Sequence, residues 1–317
     1  MALFRARLRL EGPIVSTLAS GMIFGQLCWA LREREGEAAL VDWLARPDEL
    51  WGVSDAFPAG CLPRPLLRST TGGFSAPEAA TPDRMAVANE KASERKRLNK
   101  KPLMSRAAFL SARSDLGERS LGKDDLSDAA DKRRRKARNS VDRHTGRARD
   151  DGGLYFIEEV WTREGAAERD LYVEAPAGGR DRVSALLAWV GENGFGKSAS
   201  LGRGRFSLSE VVEDAELAHL PGATRQLSLS RGTRTASMAE VLCRIEPYFG
   251  KAGPQLTVGE GASPFKRPIL LTRPGSTFAR AGEGRFGEWL TGVHPTRPEI
   301  GHNAFHIAIP FMEAPDA

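Results

Sequence analysis

The sequence predicts an α+β protein of two domains, the first built on an antiparallel sheet and interrupted by a long basic insertion. Three observations predict this. Residues 3–10, LFRARLRL, alternate apolar and basic side chains as a half-buried strand does. Residues 181–190 set Val183, Leu186, Leu187 and Val190 at the i, i+3, i+4, i+7 spacing of a helix face, and a second alternating run begins near Arg205. At 317 residues with 41% hydrophobic content, the chain is large enough for two ordinary cores.

In the first strand one face packs while Arg5, Arg7 and Arg9 line the other. After a turn around Gly12 and Pro13, Met22, Leu27, Trp29 and Leu31 open a helical region that continues to Leu44 and breaks near Gly36. From the SDAFP stretch at residues 54–58 to about Asp150, the chain is rich in Pro, Gly, Ser and charge. This reads as an insertion, about residues 60–150, with short elements of its own. GLYFIEEVW at 153–161 and RDLYVEA at 169–175, joined by a glycine-containing loop, read as a hairpin. With the helix at 181–190 and the strand near Arg205, the order is strand, helix, strand, strand, helix, strand. That is the ferredoxin-like βαββαβ arrangement, which also underlies RNA-recognition domains. The first domain thus covers residues 1–210. Residues 211–317 read as a second, less regular α+β domain, with strands in RQLSLS, RPILLTR and AFHIAIPF and a helix-like MAEVLCRIE.

Composition narrows the function classes. The longest apolar stretch, residues 18–31, is interrupted by Ser20, Gly21, Gly25 and Gln26 and is too short to span a bilayer, so no membrane association is expected. Arg5, Arg7, Arg9 and Glu11 fall where the apolar region of a signal peptide would begin. Cys28, Cys61 and Cys243 have no C-x-x-C spacing, which fits packing residues in a reducing cytoplasm. The net charge is +5, but residues 91–113 carry eight basic and one acidic side chain, and residues 131–149 carry nine and two. Such concentration is the footprint of a nucleic-acid contact. A solvated loop and a nuclear-targeting reading of KRRRKAR also fit this composition.

Residues 191–198, GENGFGKS, match the nucleotide-hydrolase pattern G-x-x-x-x-G-K-[ST] letter for letter. That pattern needs a buried strand before the loop and a helix after it. Here a helix face precedes it, and Gly202 and Gly204 follow, each costing about 1 kcal/mol in a helix interior. No apolar strand ending in a magnesium-binding aspartate accompanies it. The ATPase reading is set aside, and no cofactor is expected.

Five stretches, in order along nearly the whole chain, resemble one family: SGMIFGQLCWAL, SDAFP, RNSVDRHTGRARDDGGLYF at 138–156, GFGKSASLGRGRF at 194–206, and the C-terminal pair RPGSTF and IGHNAFHIAIPF. The family is the RAMP superfamily of CRISPR subunits, and within it the type III-A (Csm) subunit that caps the crRNA 5′ tag. The resemblance implies two ferredoxin-like domains, the second degenerate, and a thumb-like insertion against the guide RNA. It implies that Gly194, Gly196, Gly202 and Gly204 form an RNA phosphate loop, with Lys197, Ser198, Arg203 and Arg205 beside it. Glycines let backbone N–H groups approach an anion closely, and the cations supply charge. A plain helix-to-strand connection is the alternative. The resemblance also makes Arg138, Asn139, Arg143, His144 and Thr145 candidates for contact with RNA or an adjacent subunit, with Asp142 an orienting partner for arginine. Ser20 and Gly21 stand where the first helix starts, where free N–H groups hold a phosphate or Ser20 acts as an ordinary N-cap.

The expected role is non-catalytic. Family members that cut target RNA use an aspartate near the first helix, and residues 12–25 contain no acidic residue. Processing members use histidine, and His144, His219, His294, His302 and His306 match no such position. His302 and His306 stop at two potential metal ligands, so no metal site is expected. The resemblance implies a subunit that holds the crRNA 5′ tag and contacts the large polymerase/cyclase-like CRISPR subunit and the backbone RAMP subunits. Two alternatives remain, the equivalent subunit of a type III-B complex and a stand-alone RAMP endoribonuclease. Within the insertion only Phe74 and Phe109 are aromatic, which leaves the intercalating residue unassigned.

Overall fold

The computed structural model describes all residues except 69–88, 91, 95, 99, 118–119, 129–130, 149–152, 164, 254–262 and 316–317. The first sheet contains β1 (Ala2–Leu10), β2 (Gly52–Val53), β3 (Phe57–Pro58), β9 (Glu168–Ala175) and β10 (Phe206–Glu213). Its order is β10–β1–β9–β2, every pair is antiparallel, and β3 also pairs with β9. The alternation of β1 decides its two faces. Ala2, Phe4, Ala6, Leu8 and Leu10 enter one core, covered by Ile23, Phe24 and Leu27 of α1 (Ser20–Glu35) and by Val183, Leu186, Leu187 and Val190 of the helix Arg180–Asn193. Helix α1 ends at Gly36, whose φ of 96° a side chain would resist, and α2 (Glu37–Leu44) begins there.

On the opposite face Leu3, Phe57 and Tyr172 join Leu227, Ile307 and Phe311 from the C-terminal third in a second core. There the expected basic row is largely neutralised. Arg7 grips the fully buried Asp170 through both carboxylate oxygens, at 2.9 and 3.1 Å, while Arg9 stays exposed. Both faces of the central strand β9 are therefore covered, and among the described residues the exposed part of the sheet is confined to positions such as Arg9 of β1 and Ser207 of the edge strand β10.

The expected hairpin between residues 153–161 and 169–175 is not formed. Strand β8 (Leu154–Trp161) pairs instead with β7 (Lys132–Asn139) across its whole length. The two strands are joined by side chains as well as by their ladder: Arg133 donates to Glu158 Oε1 at 2.8 Å across the pair, and opposite charges on facing strands favour pairing. The strand that neighbours β9 is supplied by β2 and β3, whose two residues each are too short for periodicity to reveal. Between β3 and β7 in the chain, β4 (Cys61–Pro63), β5 (Leu103–Ser105) and β6 (Leu126–Ser127) make a small three-stranded sheet.

The regular elements of the C-terminal third are nearly all strands. Its main sheet has the order β12 (Met238–Leu242), β15 (Thr277–Arg280), β11 (Arg225–Ser228) and β18 (Ala308–Phe311). Two hairpins accompany it, β13 (Ile245–Tyr248) with β14 (Ile269–Thr272), and β16 (Gly287–Leu290) with β17 (His302–Phe305). The helix-like MAEVLCRIE is thus strand: β12, which carries a register shift around Glu240 at φ 48°, and, after Cys243 and Arg244, the start of β13. AFHIAIPF is not one strand either: it divides at His306, whose amide donates to Phe286 O, and its halves enter different sheets. The three cysteines are free.

Candidate nucleic-acid interface

The β7–β8 ribbon carries most of the second basic segment, and every residue of β7 except Arg138 is exposed. Cross-strand partners share a face, so Arg133, Arg135 and Asn139 lie with Leu154, Phe156 and Glu158 on one side. This side faces outward. Leu154 is 63% and Phe156 49% exposed, and the Arg135 guanidinium lies 4.0 Å from the Phe156 ring centroid. The other side carries Ile157 and Glu159, both buried, and faces the body of the protein. Aromatic faces interleaved with arginine on a solvated strand pair supply what single-stranded nucleic acid needs, stacking surface and phosphate charge. The insertion as delimited from the sequence, about residues 60–150, ends short of the ribbon's exposed aromatics. Phe109 is fully buried and Phe74 lies outside the described residues, whereas Tyr155 and Phe156 are exposed.

The ribbon is fastened to the glycine loop. Arg203 donates to Glu159 Oε1 from Nε at 2.9 Å and lies 2.8 Å from it through Nη2, while Arg138 Nη2 stands 4.0 Å from the same oxygen. Burial opposes ionisation of Glu159, but the Arg203 hydrogen bond and charge outweigh it and hold the carboxyl below its ordinary range. A backbone bridge between Ile14 and Val160, 3.0 and 2.8 Å, makes a second joint. Arg203 is therefore a structural clamp more than a free cation. Lys197 and Arg205 are exposed, the latter with its guanidinium on Glu192 O at 2.8 and 3.1 Å.

Within the loop Gly194, Gly196, Ser198, Gly202 and Gly204 all have positive φ. At three of these the lack of a side chain is required by contact as well, and at Gly194 a Cβ would sit 2.7 Å from Arg203 O. A Cβ on Gly204 would sit 2.2 Å from Phe195 O, and one on Gly196 would sit 2.6 Å from the Ser16 side chain. Several amides expected to face an anion are used inside the protein: Phe195 N donates to Gly204 O, Gly204 N to Pro13 O, and Lys197 N to Ser16 Oγ. The amides of Gly196 and Ser198 have no partner among the described residues. The helix expected of a nucleotide hydrolase is absent here, since only a single 3₁₀ turn, Ala199–Leu201, follows the loop.

At the start of α1 a protein carboxylate occupies the position anticipated for a phosphate. Ser20 N donates to Asp55 Oδ1 at 2.8 Å, and Ser20 Oγ accepts from Arg231 N at 3.0 Å. The N-cap residue is Ala19, not Ser20. Gly21 is packed against His302, whose ring would lie 2.4 Å from a Cβ at that position. Arg231 Nε reaches Asp55 Oδ2 at 2.9 Å, so the SDAFP stretch joins the first sheet to the C-terminal third. Burial pushes the Asp55 carboxyl up against the opposing pull of Arg231 and Ser20.

Asn139, Arg143, His144 and Thr145 stand exposed at the ribbon tip. Asp142 does not orient an arginine. Its Oδ1 accepts from the amides of His144 and Thr145 at 2.7 and 3.1 Å, and so shapes the tip turn. Two of the three predicted groups, the segment from Arg138 to Thr145 and the glycine loop, thus form one connected structure. Ser20 and Gly21 lie apart from it, inside the protein. Among the described residues no group of three or more His, Cys, Asp or Glu is placed to hold a metal, and no helix is long and apolar enough to cross a membrane. His306 is instead hydrogen-bonded between Ser228 Oγ and Thr233 O, and His302 packs on Tyr248 with ring centroids 4.9 Å apart.

No family model matches the sequence, and no curated protein is similar to it. Solved structures are similar in fold. A chain in the crystal structure of a Csm1–Csm4 cassette in complex with pppApA matches at TM-score 0.61 and 17% identity, over 100% of both chains. The Csm1–Csm4 cassette in complex with cA4 gives 0.60 and 17%, over 99% of this chain and 100% of that one. A Csm3–Csm4 subcomplex of the type III-A CRISPR-Cas interference complex gives 0.56 and 11%, over 98% and 99%. Csm4 is the component these assemblies share, and the chain has the fold of that Csm subunit.

Proposed function

We propose that this chain is a non-catalytic, cytoplasmic crRNA-binding subunit of a type III-A CRISPR interference complex. It holds the repeat-derived 5′ tag of the crRNA and bridges the large polymerase/cyclase-like subunit to the backbone RAMP subunits in antiviral defence. One observation carries the RNA-binding part. The exposed ribbon sets Arg133, Arg135 and Phe156 on one outward face, with Arg143 and His144 at its tip, and is clamped to the glycine loop through Glu159. The ribbon is the thumb-like part of the insertion in this reading. The β10–β1–β9–β2 order, with α1 and the helix Arg180–Asn193 on one face, supports a ferredoxin-like first domain. The main sheet of the C-terminal third is its degenerate counterpart.

The partners rest on the fold shared with assemblies of Csm1 with Csm4 and Csm3 with Csm4. An apolar surface supports docking by a protein partner: Ile245, Phe249, Phe265 and Leu270, on and beside the β13–β14 hairpin, are each more than half exposed. The test is to co-express the tagged chain with the large and backbone subunits and to sequence the RNA recovered with it. Short RNAs sharing one repeat-derived 5′ end, with both partners present, are expected. Cleavage of repeat RNA by the isolated chain would replace this reading with that of a processing endoribonuclease.

A further inference from the structure

A cavity of about 480 Å³ lies where the 61–67 segment and the residues around Pro102 face the C-terminal third. It is within the roughly 300–1,000 Å³ range of small-ligand sites. None of the residues that the RNA-binding reading uses lines it. Two stretches whose resemblance carried no assigned role meet there instead: SDAFP supplies Asp55 and Phe57, and RPGSTF supplies Arg273, Pro274 and Ser276.

Its walls are preformed. Leu66 N donates to Gly275 O at 2.8 Å, Arg64 N to Pro102 O at 2.9 Å, and Thr277 Oγ1 to Leu66 O. Gly275, at φ 92°, lets the turn close on this segment, since a Cβ there would sit 2.6 Å from Arg64 O. Phe57, Pro63, Leu103, Leu121 and Pro274 give the cavity an apolar side.

The polar side is strongly cationic. Arg64, Lys100, Lys101, Arg231, Arg244 and Arg273 line the cavity, and Asp55 is the one carboxylate among the lining residues. Arg231 is committed to Asp55 and Glu246, and Arg273 also pairs with Glu246. Lys101 is held by the carbonyls of Lys123 and Leu126, at 3.0 and 2.7 Å, which leave its charge uncompensated. The side chains of Lys100 and Arg244 are exposed and carry no ion pair among the described residues. Like charges gathered around a concave surface repel one another and favour an anion between them. An anion alone would leave the apolar wall unused.

We infer that this cavity holds one unpaired nucleotide, its phosphate between Lys100 and Arg244 and its base against the wall of Phe57, Leu103 and Pro274. The inference rests on the proposed RNA-binding role and adds to it a site separate from the ribbon and the glycine loop. The nucleotide is either free or one unit of an RNA chain, and both present the same phosphate and base.

The test uses the full chain and the double variant Lys100→Glu/Arg244→Glu, whose exposed positions leave the fold intact, as thermal unfolding checks. Two probes are titrated, AMP and a single-stranded RNA of about eight nucleotides, a length within the usual site size. A loss of tenfold or more in affinity for RNA, with a 4-thiouridine crosslink on residues 65–67 or Pro274 that the variant abolishes, supports a nucleotide of an RNA chain. Tenfold loss for AMP supports a free nucleotide. Wild-type affinity of the variant for both probes overturns the inference while leaving the RNA-binding role standing. If the wild-type chain binds AMP at this site but no RNA, the site stands and the RNA-binding role fails. If it binds neither probe, both fail.

Discussion

Arg203 and Glu159 join the glycine loop to the basic ribbon through one carboxylate oxygen, with side-chain exposures of 19% and 3%. Breaking a fully buried pair by removing one partner costs about 3–5 kcal/mol, and the partial exposure of Arg203 lowers that to about 1–3 kcal/mol for Arg203→Ala. Urea unfolding of the variant measures it. A loss below about 0.5 kcal/mol, the scatter of ordinary surface changes, would show that the clamp does not hold the ribbon.

The glycines of the loop should differ sharply from one another. Gly202 is at φ 75° and a Cβ there would meet nothing within 4 Å, so Gly202→Ala costs only the left-handed backbone penalty of about 1–2 kcal/mol. Gly204→Ala adds a collision with Phe195 O at 2.2 Å and should cost at least twice as much. Thermal unfolding of the pair reads the difference. Equal losses would mean that the loop closes by some other contact.

Phe156→Ala should leave the melting temperature unchanged, because the ring is half exposed, and weaken single-stranded RNA binding by roughly 5- to 150-fold, the worth of about 1–3 kcal/mol of base stacking. Arg135→Ala should reduce the slope of log affinity against log salt by about 0.7, the value of one phosphate on a single strand. Titrations at several salt concentrations test both.

Stability should fall with acid in a defined window. Burial lowers His306 to about 4 and His302 to about 3, from 6.5. The unfolded chain takes up protons near 6.5 that the folded chain refuses, so stability is full above that value. It declines as pH falls from about 6.5 towards 4, by up to about 1.4 kcal/mol per pH unit for each histidine. Glu159, held low, acts in the same direction at more acid pH, while Asp55 and Glu174, raised by burial, act against it. Urea midpoints that stay flat between pH 6.5 and 4.5 would contradict the assignment of two buried neutral imidazoles.

The elements legible in the sequence are those whose own periodicity fixes them. The alternation of residues 3–10 gives β1, and Val183, Leu186, Leu187 and Val190 all reach the core as their spacing predicts. Pairing was less legible. Residues 153–161 read as a strand, but their partner lies across the tip turn, with cross-strand contacts such as Arg133 to Glu158 that local pattern cannot assign. The glycine stretch was legible as a loop, but not which of its amides the protein would use itself. Asp55 was missed as the group at the start of α1. Its one local signal was a lone carboxylate between the apolar residues of a Pro-ended stretch, and burial only becomes visible once α1 and Arg231 close on it.

The most direct test of the central claim is the affinity of the full chain for a repeat-derived single-stranded RNA, compared with that of Arg133→Glu/Arg135→Glu/Phe156→Ala at matched thermal stability. The outward face of the ribbon predicts a loss of at least a hundredfold, steeper at low salt. Undiminished binding by this variant would contradict the claim that the ribbon holds the guide RNA.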